Sequence, residues 1–249
     1  MKLDGRVYVV TGAGGGIGGG IARVLTGEGA RVTLVDLREP TVTDPDTMLA
    51  VAADVTSPDD AAAVVAATIE RFGRLDGLVN NAGVITLDAA WDATAEDWRR
   101  HMDVNVVGSF VFSQAVGTHL RTHGGGAIVN VSSNCGKAGY RNMAAYNASK
   151  AAVIGLTRSL SMEWAGDGIN VNAVCPGGVD TPMLSGVADW LEPRLGVPAD
   201  ELLSGMGAAQ LGRKITPEEV ARVIAFLLSD DAVIIRGQSI SIDGGDTPY

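Results

Sequence analysis

Seven short apolar runs, at 6–10, 31–35, 48–53, 77–80, 127–131, 169–174 and 238–242, alternate with stretches of helical character at 16–28, 58–72, 95–122, 146–165 and 216–229. That alternation predicts strands laid side by side in one direction, because parallel strands need a long crossover and a helix is its usual form. The runs agree with this. Arg31-Val32-Thr33-Leu34-Val35 reads as a nearly continuous apolar run rather than a clean in-and-out alternation, which suits a sheet covered by helices on both faces. Thr216-Pro217-Glu218-Glu219 marks a helix start, with a capping hydroxyl, proline at the first helical position and acids in the first turn. From 184 to 210 the periodicity weakens into short amphipathic pieces around Trp190 and Leu202-Leu203, an insertion that reads as a lid. No Pro/Ser-rich or charged linker divides the 249 residues, so 1–249 are expected to form a single α/β domain.

Charge and composition exclude several classes of partner. The net charge of −10 and the lack of any Lys/Arg cluster argue against nucleic acid, whose phosphates demand concentrated cations. No apolar run approaches the roughly 20 residues of a membrane span, and the start passes directly into strand-like Val7-Tyr8-Val9-Val10 without a leader pattern. A cytoplasmic protein is expected. Cys135 and Cys175 read as reduced thiols, and three scattered histidines without paired spacing give no metal site.

The first run leads into Thr11-Gly12-Ala13-Gly14-Gly15-Gly16-Ile17-Gly18-Gly19-Gly20, followed by helical Ile21-Ala22-Arg23-Val24-Leu25. Strand, glycine turn and helix start, in that order, suit a pyrophosphate. Glycines let the backbone come close, while free N–H groups and the positive end of the helix dipole face the anion. Each glycine in a helix costs about 1 kcal/mol relative to alanine, so three at the helix start imply close packing or ligand approach. Asp36 ends the second run with Leu37 beside it; a carboxylate there can accept from both adenosine ribose hydroxyls and would repel a 2′-phosphate. Gly15 stands where a basic residue could hold that phosphate, and Arg38 lies two places past the carboxylate, so NAD is favoured over NADP. Asp54-Val55 has two readings of equal weight: adenine contact, or an Asp54 cap on the helix opening near Ser57-Pro58.

Further along, Tyr146-Asn147-Ala148-Ser149-Lys150 puts a phenol and an ammonium at i and i+4, on one helix face. A cation beside the hydroxyl would favour the phenolate and lower its pKa from about 10 toward working pH, as an acid/base tyrosine requires.

Taken together, the segments resemble the short-chain dehydrogenase/reductase family over essentially the whole chain. Thr11-Gly12-x-x-x-Gly16-Ile17-Gly18 is similar to the family's cofactor loop, and Asn80-Asn81-Ala82-Gly83 to the segment that braces its central strand. The resemblance implies a Rossmann-type doubly wound domain with a seven-stranded parallel sheet and helices on both faces. It also implies a catalytic set of Asn105, Ser133, Tyr146 and Lys150. Asn105, within Asp103-Val104-Asn105-Val106-Val107-Gly108, would hold a proton-relaying water; Ser133, thirteen residues before Tyr146, would polarise the substrate oxygen; Lys150 would also bind the nicotinamide ribose. Pro176-Gly177-Gly178-Val179-Asp180-Thr181-Pro182 resembles the stretch that clasps the nicotinamide, with Val179 and Thr181 as carboxamide contacts, and Asn81, Ala82 and Gly83 join the cofactor wall.

The activity so implied is NAD-dependent interconversion of a secondary alcohol and a ketone. The alternative is a non-catalytic NAD-sensing protein of the same fold, against which the intact catalytic set argues. Ser133, Asn134, Tyr140, Met183 and Trp190 are the expected substrate contacts. Ser-x-x-Gly-Lys-x-Gly followed by Tyr-x-Ala-Ser-Lys is similar to segments of some polyol and sugar-alcohol dehydrogenases. Relatives pair the helices at 95–122 and 146–165 into tetramers, so a homotetramer is expected.

Overall fold

The computed structural model describes residues 2–247. Within them the strands β1 (Val7–Thr11), β2 (Arg31–Asp36), β3 (Met48–Ala52), β4 (Gly77–Asn80), β5 (Gly126–Val131), β6 (Ile169–Pro176) and β7 (Ser239–Ile242) form one parallel sheet in the order β3-β2-β1-β4-β5-β6-β7. The helices are α1 (Gly16–Gly27), α2 (Pro58–Phe72), α3 (Ala95–His101), α4 (Gly108–Thr122), α5 (Ala144–Trp164), α6 (Pro182–Leu195), α7 (Ala199–Gly205) and α8 (Pro217–Leu228).

Successive strand residues serve opposite faces. Val10, Val79 and Val129 pack with Ile21 and Leu25 of α1 and Ile224 of α8. Their neighbours Val9, Leu78 and Ile128 pack with Val64 of α2, Phe112 and Val116 of α4 and Leu160 of α5. The near-continuous apolar runs thus feed two cores, each completely buried side chain contributing about 1.5–3 kcal/mol. β1 lies between β2 and β4, so the winding direction reverses there and opens a crevice beyond the carboxyl ends of those strands.

A buried polar chain fixes the sheet centre against the helices. Asn80 Nδ2 donates to Asn130 Oδ1 at 2.8 Å and to Ser113 Oγ on α4 at 2.8 Å, and Asn130 Nδ2 donates to Thr157 Oγ1 on α5 at 2.9 Å. In a dry interior each such partner spares a desolvation cost of about 1–3 kcal/mol.

Three features depart from the sequence reading. The stretch 95–122 is not one regular helix: Met102–Val107 is a π-helical turn between α3 and α4. Its cause is tertiary, since Asn105 is drawn to the loop after β4 and a Cβ on Gly108 would lie 2.8 Å from Val55 Cγ2. Between 182 and 205 the weak periodicity conceals two helices. Thr181 caps the first by accepting from Leu184 N–H, and Gly196, at φ 67°, ends it. The cap on α2 is Ser57, which accepts from Asp60 N–H at 3.2 Å; Asp54 instead accepts from Thr56 N–H and Oγ1 in a local turn, so the capping reading of Asp54 is wrong.

Two of the three glycines at 18–20 have steric reasons. A Cβ on Gly18 would lie 2.0 Å from the Gly12 carbonyl oxygen, and one on Gly20 would lie 2.6 Å from Pro217 Cβ at the start of α8. At Gly19 the first obstacle is the flexible Arg23 Nη1 at 3.4 Å. Gly20→Ala is therefore expected to destabilise the protein by about 1–3 kcal/mol, while Gly19→Ala stabilises it by up to about 1 kcal/mol. Urea unfolding midpoints moving in the same direction would contradict this packing account.

Candidate active site

A cavity of about 1100 Å³ occupies the crevice at the strand ends. One end is bounded by Gly12, Gly15, Gly16 and Ile17 from the β1–α1 turn, with Asp36 and Leu37 after β2. Asp54 and Val55 close that end, and Asn81, Ala82 and Gly83 follow β4 along the wall. Ser133, Asn134, Tyr140, Tyr146 and Lys150 line the middle, and Pro176, Gly177, Val179, Thr181, Met183 and Trp190 the side beyond β6. Gly18 and Asn105 are not part of the wall. Gly18 serves the close turn against Gly12, and Asn105 is spent on its neighbours.

The dinucleotide end has the chemistry of an anion cradle. α1 has Gly15 at its cap position, with no capping side chain and no acid in its first turn, whereas α2, α3 and α8 each begin with a hydroxyl cap and acids. Uncapped N–H groups at a helix start bordering a cavity suit a pyrophosphate. Nothing stands within 4 Å of the Cβ position at Gly15, so the approach is open. Asp36 Oδ2 accepts from Gly14 N–H at 3.0 Å and Oδ1 from Leu37 N–H at 2.8 Å, which sets the carboxylate beside the glycine turn. These residues fit a dinucleotide. Asn81 fastens the two strand ends, donating from Nδ2 to the carbonyls of Thr11 at 3.0 Å and Gly12 at 2.9 Å.

At the other end, the first turns of α5 carry Tyr146, 8% exposed, and Lys150, 4% exposed. Lys150 Nζ donates to the Val131 carbonyl at 2.9 Å and lies 5.7 Å from the Tyr146 ring centre. Ser133 Oγ accepts from Cys135 N–H at 3.1 Å and donates to Asn134 Oδ1 at 3.2 Å, and Asn134 Nδ2 donates to the Tyr140 hydroxyl at 2.9 Å.

The electrostatics correct one expectation. Burial pushes the Tyr146 hydroxyl above the ordinary phenol range, the neighbouring Cys135 thiol adds to the rise, and only the Ser133 hydroxyl favours the phenolate. Burial also lowers Lys150 to about 8. Helical spacing alone does not make Lys150 lower the Tyr146 pKa in this protein, because dehydration disfavours both charged forms and the ammonium is turned toward Val131.

Asn105 braces the wall. Its Oδ1 accepts from Val84 N–H at 2.8 Å, and its Nδ2 donates to the Val84 carbonyl at 3.0 Å and to Ser149 Oγ at 2.9 Å. Four residues earlier, buried His101 accepts Thr86 N–H at Nε2, 3.1 Å, which places its ring proton on Nδ1 facing the Asp97 carbonyl at 2.7 Å. The His101 ring stands edge-on to Tyr146 with centres 6.3 Å apart. Sequence reading missed His101, the aliphatic wall of Val84, Ile85 and Leu87, and Arg100 and Arg141, which also face the cavity. Only the adjacency of Arg100 and His101 to the Asn105 segment offered any signal.

The profile of the family described as enoyl-(acyl carrier protein) reductase matches residues 12–247, and the order of glycine turn, serine, tyrosine and lysine lies inside that match. The chain belongs to the short-chain dehydrogenase/reductase family. It is 36% identical over 260 residues to trans-4-hydroxycyclohexanecarboxylate dehydrogenase of Sinomonas cyclohexanicum, covering 99% of this chain and 94% of the relative. It is 37% identical over 252 residues to an NAD-dependent glycerol dehydrogenase of Listeria innocua, covering 99% and 96%. Among solved structures, levodione reductase superposes with a TM-score of 0.92 at 34% identity over 99% of each chain. As a member of this family the chain is an oxidoreductase of the alcohol dehydrogenase/ketone reductase kind.

The low pKa of Lys150 has a stability consequence. The folded value of about 8 lies below the roughly 10.4 of an unfolded chain, so between these values the unfolded state binds the extra proton and stability rises with pH. Relative to Lys150→Met, the wild type is expected to gain stability from pH 8 to 10, by roughly 3 kcal/mol at most. Parallel urea midpoints for both proteins across that range would contradict a buried, easily deprotonated ammonium.

Proposed function

We propose that the chain interconverts a secondary alcohol and a ketone with NAD as the redox partner. The observation that carries this reading is the joining, in one cavity, of an uncapped glycine-rich helix start, a carboxylate at Asp36 and the buried Ser133, Tyr146 and Lys150. When bound, the nicotinamide supplies the acceptor for the carbinol hydride, so the alcohol loses a hydride and a proton while NAD gains the hydride. Tyr146 takes the hydroxyl proton, and the reverse reaction returns it. Ser133 donates to the substrate oxygen and stabilises its developing charge. Lys150, protonated at neutral pH, holds the nicotinamide ribose. Asn105 keeps the Val84 loop in place and lies, with Lys150, close to Gly83: a Cβ there would sit 3.2 Å from Asn105 Oδ1 and 3.4 Å from Lys150 Nζ. The family resemblance gives Asn105 a proton-relaying water.

NAD is assigned over NADP because Asp36, fixed by Gly14 and Leu37, would meet a 2′-phosphate with like charge. The NAD-dependent relative is in keeping with this. The cavity wall also carries Val84, Ile85 and Leu87, and Leu191, Leu195 and Met206 from the segment after β6, which favours an alcohol with a hydrocarbon ring or chain. The relatives named for hydroxycyclohexanecarboxylate and levodione point the same way. We assign α6 and α7 the role of a lid, since α6 buries only Val187 and Ala188 and places Met183 and Trp190 on the cavity. A homotetramer formed through α4 and α5 would cover the exposed Phe110 and Met162, and the free thiols suit the cytoplasm; a monomeric mass in solution would reject the tetramer.

Tyr146→Phe is expected to lower kcat by about 10²–10⁴ with NAD affinity retained; near-wild-type turnover removes Tyr146 from the chemistry. Asp36→Ala is expected to raise the NADP-to-NAD ratio of kcat/KM by about tenfold or more, from the lost charge repulsion. A wild-type preference for NADP would overturn the cofactor assignment, and tight NAD binding without turnover of any alcohol or ketone would favour an NAD sensor.

A further inference from the structure

Charge is distributed unevenly along the cavity. Asp36 and Asp54 stand at the dinucleotide end, whereas Arg100 of α3 and Arg141, in the loop that leads into α5, stand at the Tyr146 end. Neither arginine makes an ion pair or a side-chain hydrogen bond to any described residue. The third cation of the wall, Lys150, is engaged by the Val131 carbonyl. Both guanidinium groups are solvent-exposed at the cavity wall and are free to meet an anion. The carboxylate of Asp246, beside Gly177, is also in the wall, but its Oδ1 is held by Ala209 N–H at 2.7 Å.

The loop that carries Arg141 is held in place. Asn142 has φ 61°, the one positive φ outside glycine among the described residues, and its carbonyl accepts from Asp88 N–H at 3.0 Å. On the other side Asn147 Nδ2 donates to the Tyr140 carbonyl at 2.9 Å. A left-handed residue kept between two such ties is the kind of local strain that accompanies a positioned functional group. Arg100 precedes His101, whose two ring nitrogens fasten α3 to the Thr86 loop. Both arginines therefore project from anchored backbone. Val84, Leu87 and Val104 belong to the same wall.

We propose that Arg100 and Arg141 bind the carboxylate of a hydroxy-acid or keto-acid substrate, with a hydrocarbon spacer placing the secondary alcohol at Ser133 and Tyr146. This rests on the alcohol dehydrogenase reading above and names the substrate class of the same site. Guanidinium groups form paired, charge-assisted hydrogen bonds to a carboxylate, and the aliphatic wall covers the spacer. The carboxylate takes no part in the redox step; it orients the carbinol carbon.

The test compares 4-hydroxycyclohexanecarboxylate with cyclohexanol, a neutral alcohol of the same ring. Wild type is expected to favour the carboxylate by about tenfold or more in kcat/KM, chiefly through KM, and to lose much of that preference as ionic strength rises. Arg100→Gln and Arg141→Gln should each cut the preference several-fold, and the double variant should abolish it. Calorimetric titration with cyclohexanecarboxylate, which cannot react, should show the same loss of affinity without relying on turnover. Turnover of cyclohexanol with no preference for the carboxylate, or a preference insensitive to both salt and the double substitution, overturns the anion site while leaving the dehydrogenase reading intact. Failure to turn over either alcohol, with no binding of cyclohexanecarboxylate, defeats both.

Discussion

An ammonium buried without a carboxylate is a costly group, and much of the site is arranged around it. Lys150 has one hydrogen bond, to the carbonyl at the end of β5, and the Ser132 hydroxyl returns one to the Lys150 carbonyl at 2.8 Å, so α5 is fastened to that strand end from both directions. The Asn80–Asn130–Thr157 chain repeats the fastening deeper in the sheet. Strand end and helix therefore cannot shift apart without leaving several buried polar groups unpaired, each at about 1–3 kcal/mol. Gly83, Asn105 and Tyr146 take their places within a frame fixed in this way.

The sheet was legible because most strands are compact apolar runs, β7 being an alternating Ser-Ile-Ser-Ile, and glycines, prolines or caps punctuate the chain between them. The π-helical turn at Met102–Val107 was not, since no glycine or proline lies inside it and the helical spacing continues through it; its cause is contact with Val84 and Val55, distant in sequence. α6 was obscured for a different reason. Its inward face lines a cavity instead of a core, so the apolar stripe that identifies a helix is incomplete. At Asp54 and Ser57 two good capping residues stood close together, and only geometry shows that the serine caps.

The candidate site shows the same division. Most residues singled out by motif line one cavity, because a motif encodes backbone turns and polar groups at fixed spacing. Gly18 and Asn105 do not line it, being occupied in holding the turn and the Val84 loop. The aliphatic wall and Arg141 carried no signal, since such residues are ordinary anywhere on a chain, and Arg100 had only its nearness to the Asn105 segment. Spacing also told which helix face Tyr146 and Lys150 share without telling how dry that face is. Dryness decides the sign of both pKa shifts.

On the proposed function, a carbinol hydrogen passes directly to a nicotinamide held in this cavity. Incubating the protein with NAD and a cyclic secondary alcohol carrying deuterium on its carbinol carbon, then weighing the cofactor by mass spectrometry, tests this transfer. Reduced cofactor carrying the deuterium is the expected result; reduced cofactor without the label, or label released to solvent, would contradict it.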